Sequence, residues 1–351
     1  MRTLFVLSLL VIAAVRPAAA APDYAALNRA LTDGAVIPAY RSLAETTAAL
    51  RDASEARCDA ASPATLEAAK AAFGRAMDAW QHAQPVSFGP VKTDSRDVRI
   101  EFWPDKRGTG TRQVRRALAA KQPDLVAPGG LKGKSVALQG LVTYERLLYD
   151  HADDAYACRF ATAIARFQAE IAAAIVADWT KTGGYRETML TAGGGNAQYA
   201  DAKEAATDFL KSVATALDRM IDQKLERPLG DSRADSFGTR AESWRSGRSL
   251  ENVAAGLDML GLMFSTPGGF RDQLAAAGAG PLGDGMVRLF GEAAAAARAI
   301  PLPLSKAVAD ETVRPQVEKL LDDLQGLRTL VRNPVADELG IVIGFNSLDG
   351  D

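Results

Sequence analysis

A chain of 351 residues, 48% of them hydrophobic, can bury a substantial core, and its length predicts two domains. With 41 basic against 43 acidic side chains and no long Lys/Arg run, it lacks the electrostatic footprint of a nucleic-acid binder. Two histidines and two cysteines leave few residues for imidazole or thiolate metal chemistry.

The N-terminus predicts export. Arg2 supplies a positive start, Leu4 to Val15 form an apolar run, and Ala18-Ala19-Ala20 offers small residues for cleavage, the three-part layout of a signal peptide over residues 1–20. The run is shorter than the roughly 20 residues that a membrane-spanning helix needs. No cysteine lies near the cleavage site to take a lipid anchor. Removal takes away Arg2 and Arg16 and no acid, leaving a mildly acidic periplasmic protein with no expected membrane span.

Helical spacing then dominates. Leu66, Phe73, Met77 and Trp80 recur at three- and four-residue steps or their sums, as do Phe160, Ile164, Phe167, Ile171 and Ile175, and then Leu210, Val213, Leu217 and Met220. Leu250, Val253, Leu257, Leu260 and Phe264 form a clean stripe, and so do Val317, Leu320, Leu324, Leu327 and Val331. Each stripe puts apolar side chains on one helix face that must be buried against other helices. No comparable series of alternating strand segments appears, and abundant alanine favours helix. The fold class is all-α.

Punctuation divides the chain. Pro85 to Pro104 holds no clear helix and reads as a long structured loop, with Phe88-Gly89-Pro90 and Phe102-Trp103-Pro104 inside it. Gly183-Gly184 and Gly193-Gly194-Gly195 flank the expected domain junction, which gives an N-terminal bundle over residues 21–190 and a C-terminal bundle over 196–351. Gly133-Lys134-Ser135-Val136 and Gly247-Arg248-Ser249-Leu250 echo one another, and in both Ser is an expected helix N-cap. Cys58 and Cys158, an isolated pair in an oxidising compartment, are expected to form a disulfide.

One polar residue stands out. After Ser135, Leu138, Leu141 and Leu148 share a face whose remaining position is Glu145. A carboxylate inside an apolar stripe is costly to bury unless a cation or donor meets it. Either a structural ion pair with an arginine such as Arg99, Arg107, Arg245 or Arg248 satisfies it, or Glu145 faces a polar ligand pocket.

The stretch Gln139-Gly140-Leu141-Val142-Thr143-Tyr144-Glu145 resembles the Gly-x-His-x-x-Glu helix of the imelysin-like family, with Gly140 and Glu145 at its ends and Val142 in the histidine position. Phe88-Gly89-Pro90, Phe102 to Gly108, Trp244 to Asn252 and the ending Gly344 to Asp351 are similar to a branch of that family that lacks the histidine. The resemblance implies two similar helical bundles packed side by side with a site between them. It also implies an envelope location and, for part of the family, iron-regulated expression and a role in iron or haem uptake; iron or haem as cofactor, and envelope iron-uptake components as partners, rest on the resemblance alone.

Some relatives are classed as metallopeptidases. A zinc peptidase needs three protein ligands and a carboxylate base beside an activated water, and His82 and His151 form no His-Glu-x-x-His pair. His82 reads as a satisfied, half-buried imidazole. His151, in Asp150-His151-Ala152-Asp153-Asp154, reads as part of a solvated acidic turn at a helix end. There is no Gly-x-Ser-x-Gly elbow and no complete phosphate-binding loop.

The expected activity is therefore non-catalytic binding of a small or anionic ligand, with a metallopeptidase and an envelope interaction scaffold as the alternatives. The expected pocket lies where the Glu145 helix meets the Trp103 to Arg107 loop and the Arg248 to Asn252 helix start. Its residues are Gly140, Glu145, Arg99, Trp103, Asp105, Arg107, Arg248, Ser249 and Asn252, with Glu101, Arg245 and Glu251 nearby. Arginine favours an anion over a bare metal ion, because guanidinium offers donors and no lone pair. The same residues can instead lock the two bundles together.

Overall fold

The computed structural model describes residues 20–344, so the signal segment before Ala20 and the ending after Gly344 lie outside the described residues. Among the described residues there is no strand. The first half runs through α1 (Tyr24–Leu31), α2 (Ile37–Asp59), α3 (Pro63–Ala83), the short α4 (Arg96–Ile100), α5 (Thr109–Ala120), α6 (Leu141–Asp150), α7 (Ala155–Thr180) and α8 (Tyr185–Leu190). The second continues through α9 (Ala202–Asp218), α10 (Arg227–Leu229), α11 (Ser249–Ser265), α12 (Phe270–Ala276), α13 (Gly280–Ala299), α14 (Leu304–Ala307), α15 (Arg314–Leu330) and α16 (Ala336–Glu338).

The stripes explain the packing. Phe73, Met77 and Trp80 turn one face of α3 inward, and Phe160, Ile164, Ile171 and Ile175 do the same for α7. Between them lies α2, which packs along both. In the second half every member of the Leu250 to Phe264 and Val317 to Val331 stripes is buried. There α11 packs on α13, and α13 on α12 and α15. The main contacts that join these groups are α3 on α11 and α1 on α9. Buried apolar residues from Leu27 to Ile341 form one connected core.

Cys58 at the end of α2 and Cys158 at the start of α7 form a disulfide, with their Cα atoms 5.7 Å apart. By length and apolarity α7 alone among the described helices could cross a membrane, although the sequence leads one to expect no span in the mature protein. Half of its most apolar window is buried against neighbouring helices, as in the central helix of a bundle.

Several local outcomes differ from the sequence expectations. Ser135 caps a 3₁₀ turn (Val136–Leu138), its hydroxyl accepting from Ala137 N, and the helix proper starts only after Gly140. Ser249 is inside α11 and donates its hydroxyl to the Glu242 carbonyl instead of capping. The Pro85–Pro104 loop contains a 3₁₀ segment (Gly89–Ser95) and α4. Finally, α9 runs on through a π-helical stretch, Arg219–Glu226, into α10, so that the wider turn sets the directions of Lys224 and Arg227.

Candidate functional site

The site grows from the start of α6. Gly140 lies so close to the preceding loop that a Cβ there would sit 2.7 Å from the Ile100 carbonyl oxygen. The missing side chain lets α6 press against the segment that carries Glu101, Phe102 and Trp103. Leu141, Tyr144, Leu147 and Leu148 then face the core, while Glu145, on the second turn, is 2% exposed.

The Glu145 carboxylate forms an ion pair with none of the four arginines expected from the sequence, Arg99, Arg107, Arg245 or Arg248. Its Oε1 accepts the Ser246 backbone N–H at 2.8 Å and the Ser246 hydroxyl at 2.6 Å. Arg245 instead donates to Asp150 at the far end of α6, at 2.6 Å. Burial pushes the Glu145 carboxyl up from its ordinary range, while the Ser246 bonds and the charge of Arg245 pull it partly back. The segment 243–248 is thereby pinned along α6 at two points.

Between these elements lies a cavity of about 170 Å³. Its walls include Phe102, Trp103 and Asp105 from the loop, Gly140, Val142, Glu145 and Arg146 from α6, Arg227 from α10, and Thr239, Arg240 and Trp244 from the crossing segment. Both Asp105 oxygens are engaged at the start of α5, accepting from Thr109 N at 2.7 Å and Gly110 N at 2.8 Å. Arg146 donates to the Thr111 hydroxyl at 2.7 Å. Arg240 stacks over the exposed Phe237 ring, 4.8 Å from its centroid. Arg227 Nη1 is buried with no hydrogen-bond partner.

A second polar cluster is buried nearby. One oxygen of Glu101 accepts from Trp80 Nε1 at 2.7 Å, Gln84 Nε2 at 2.8 Å and Gln81 Nε2 at 3.1 Å. The other is buried without a hydrogen-bond donor, as is Glu242 Oε1, and the neighbouring Glu242 carboxyl raises the Glu101 pKa. Lys224 Nζ lies 3.0 Å from Glu242 Oε2 and donates to Gln81, and Asn252 donates to Glu242 at 2.7 Å and to Ser243 at 3.0 Å. Burial, then the charge of Glu242, pushes the Glu101 carboxyl up to about 8. Two carboxyl groups in contact away from water cannot both ionise, so this pair holds a proton near neutrality.

Of the residues singled out from sequence, Gly140, Glu145, Trp103 and Asp105 converge on the cavity, and Arg245 joins them. The others lie elsewhere. Arg99 ties loops together through Asp94 O, Lys132 O and Gln139 Oε1, and Arg107 is exposed. Arg248 pairs with Asp78 on α3, while Ser249 and Asn252 belong to the Glu242 cluster. Glu101 is in that cluster too, and Glu251 lies 3.7 Å from Arg298. His82 is half-buried, its Nδ1 3.3 Å from the Ala255 carbonyl, and burial lowers its pKa. Sequence reasoning missed Arg146, Arg227, Arg240, Lys224 and Glu242. Arg146 and Glu242 adjoin stretches already singled out, whereas Arg227 depends on the π-helical stretch and leaves no sequence signal.

The chain matches the model of the imelysin family, which bears a peptidase label, over residues 36–331. Iron-regulated protein A of Synechococcus elongatus is 26% identical over 226 residues, covering 63% of this chain and 58% of that protein, so the match spans less than two thirds of the relative. Among solved structures, an imelysin-like protein from Psychrobacter arcticum is similar with a TM-score of 0.79 and 22% identity, over 93% of this chain and all of that one. A Parabacteroides distasonis protein, described as a candidate iron-regulated protein A precursor, gives a TM-score of 0.72 and 17% identity, over 89% and 95% of the two chains. At these identities the structural likeness speaks for the fold alone.

Proposed function

Because the chain belongs to the imelysin family, we propose that it is an exported, non-catalytic binding protein of the periplasm that serves iron acquisition, its ligand seated in the cavity between α6 and the 239–246 segment. The observation that carries this reading is the cavity itself: a partly polar space of about 170 Å³ walled by the family's motif helix and two loops distant in sequence. The iron-regulated relative supports the link to iron. The apolar N-terminal run and the Cys58–Cys158 disulfide both support an oxidising compartment outside the cytoplasm.

The chemistry of the walls favours some cargoes over others. Four guanidinium groups repel a bare dication, and neither Glu145 nor Asp105 is free of other bonds. A volume of 170 Å³ lies below the roughly 300–1,000 Å³ of sites that enclose drug-sized ligands, so the cavity suits a small iron complex or chelator rather than a tetrapyrrole. The family's peptidase label supports a second reading, metal-assisted proteolysis. It would need ligands other than the histidine that Val142 replaces, and among the described residues no group of three His, Cys, Asp or Glu side chains is placed to hold a metal ion.

The test is the protein purified from its own periplasm after iron-limited growth, analysed for metals and for small molecules released on unfolding. We expect one small ligand or iron complex per chain, and a change in Trp103 and Trp244 fluorescence when it is restored. Protein that carries nothing and responds to no ferric chelate overturns the reading. Chelator-sensitive cleavage of an unstructured protein, abolished in Glu145→Gln, replaces it with the peptidase.

A further inference from the structure

We propose that the cavity is an oxyanion site in which Arg146, Arg227 and Arg240 together receive the carboxylates of a small di- or tricarboxylic acid. The inference rests on the binding reading above and specifies the ligand.

The charge balance of the walls points this way. Arg245 is matched by Asp150, at 2.6 Å. Among the described residues, no carboxylate forms an ion pair with Arg146, Arg227 or Arg240. Asp105 caps the start of α5 and Glu145 is bonded to Ser246, so their charges favour Arg146, and that of Asp105 favours Arg227, without a direct ion pair to any of the three.

Arg227 is the sharpest indication. An unsatisfied guanidinium N–H shielded from water is costly, and a charged group raises that cost. Desolvation, and then the charge of Arg240, hold the Arg227 pKa below its ordinary value, so both effects oppose its charge in the empty cavity. A second cation nearby, offset only by the charge of an Asp105 whose oxygens are bonded elsewhere, is an arrangement that an incoming anion resolves. Guanidinium forks bind planar carboxylates through paired hydrogen bonds, and such bonds are the strong ones.

Size narrows the class. An apolar cavity of roughly 150 Å³ holds benzene, so 170 Å³ exceeds what phosphate fills and accepts a short polycarboxylate. Acids of this class chelate ferric iron through carboxylate oxygens, and complexes holding two or more such ligands are anionic, which joins the site to the proposed iron role without asking the protein for metal ligands.

Isothermal titration of the full chain with citrate, ferric citrate, inorganic phosphate and the neutral trimethyl ester of citric acid tests this. We expect saturable binding of one tricarboxylate per chain, weakened by salt, with no response to the ester. Arg227→Gln and Arg240→Gln should each lower affinity by roughly tenfold or more, while Arg288→Gln, on the exposed face of α13, should leave it unchanged. Circular dichroism should find Arg227→Gln folded and no less heat-stable than the parent, since it removes a half-buried guanidinium whose Nη1 has no hydrogen-bond partner. Phosphate binding that excludes the tricarboxylate and is lost in Arg227→Gln would keep the oxyanion site and overturn the carboxylate assignment. A neutral ligand co-purifying from the periplasm would overturn the oxyanion site and leave the binding reading standing. Tricarboxylate binding unchanged in both arginine variants would overturn the proposal outright.

Discussion

At Glu101, burial and a neighbouring carboxylate act in the same direction. Burial and then the charge of Glu242 raise its pKa from an ordinary 4.5 to about 8, against the opposing pull of Lys224 and of the bond from Trp80. Between these values the native state keeps a proton that the unfolded chain releases. The stability this group supplies is fully present below about pH 4.5 and is lost as pH rises through about 8, with a slope of up to about 1.4 kcal/mol per pH unit. Glu101→Gln should preserve the geometry, because its amide oxygen can accept the three donors and its NH₂ can donate to Glu242. We expect thermal melts of this variant to lose much of the parent's decline between about pH 5 and 8; an unchanged slope would place the proton on another group. Glu145 shows how far sequence reaches at this scale. Its place among leucines makes its burial legible, but points only to an arginine or a ligand as what meets it. The donors are the amide and hydroxyl of Ser246, and a backbone N–H has no signature in a sequence.

Helices were the most legible elements, because a three- and four-residue apolar rhythm has one physical solution. The Leu250 to Phe264 stripe is entirely buried in α11, and the Val317 to Val331 stripe is entirely buried across α15 and the turn after it. Ends were less legible. Ser135 offered an N-cap hydroxyl, yet a 3₁₀ turn uses it, and α6 begins beyond Gly140, where contact with the Ile100 carbonyl fixes the loop. Gly140→Ala should therefore drive a methyl group into backbone and shift the Glu101–Trp103 strand of loop, at a cost of about 1–3 kcal/mol. Thermal melting should register a drop of several degrees, along with altered Trp103 fluorescence; a melt within error of the parent would mean that the loop yields freely. The π-helical stretch Arg219–Glu226 was hidden for the opposite reason, since its apolar spacing differs too little from that of an ordinary helix. With it were hidden Lys224 and Arg227.

Across the whole molecule, the disulfide joins α2 to α7 over a sequence separation of 100 residues. Constraining a loop of that length in the unfolded chain contributes about 4–5 kcal/mol on the chain-entropy model. A Cys58→Ser, Cys158→Ser double variant should unfold at clearly lower denaturant concentration; an unchanged midpoint would show that the unfolded chain gains little freedom. The all-helical class and the family were readable from stripes and motif stretches, whereas the cavity was readable only in part, since its walls come from residues 102–111, 136–146, 227 and 239–245. That assembly has a mechanical consequence. Glu145 is held by the main chain and the hydroxyl of Ser246, so the α6 wall and the 239–246 wall of the cavity are fastened to one another at a single buried carboxylate.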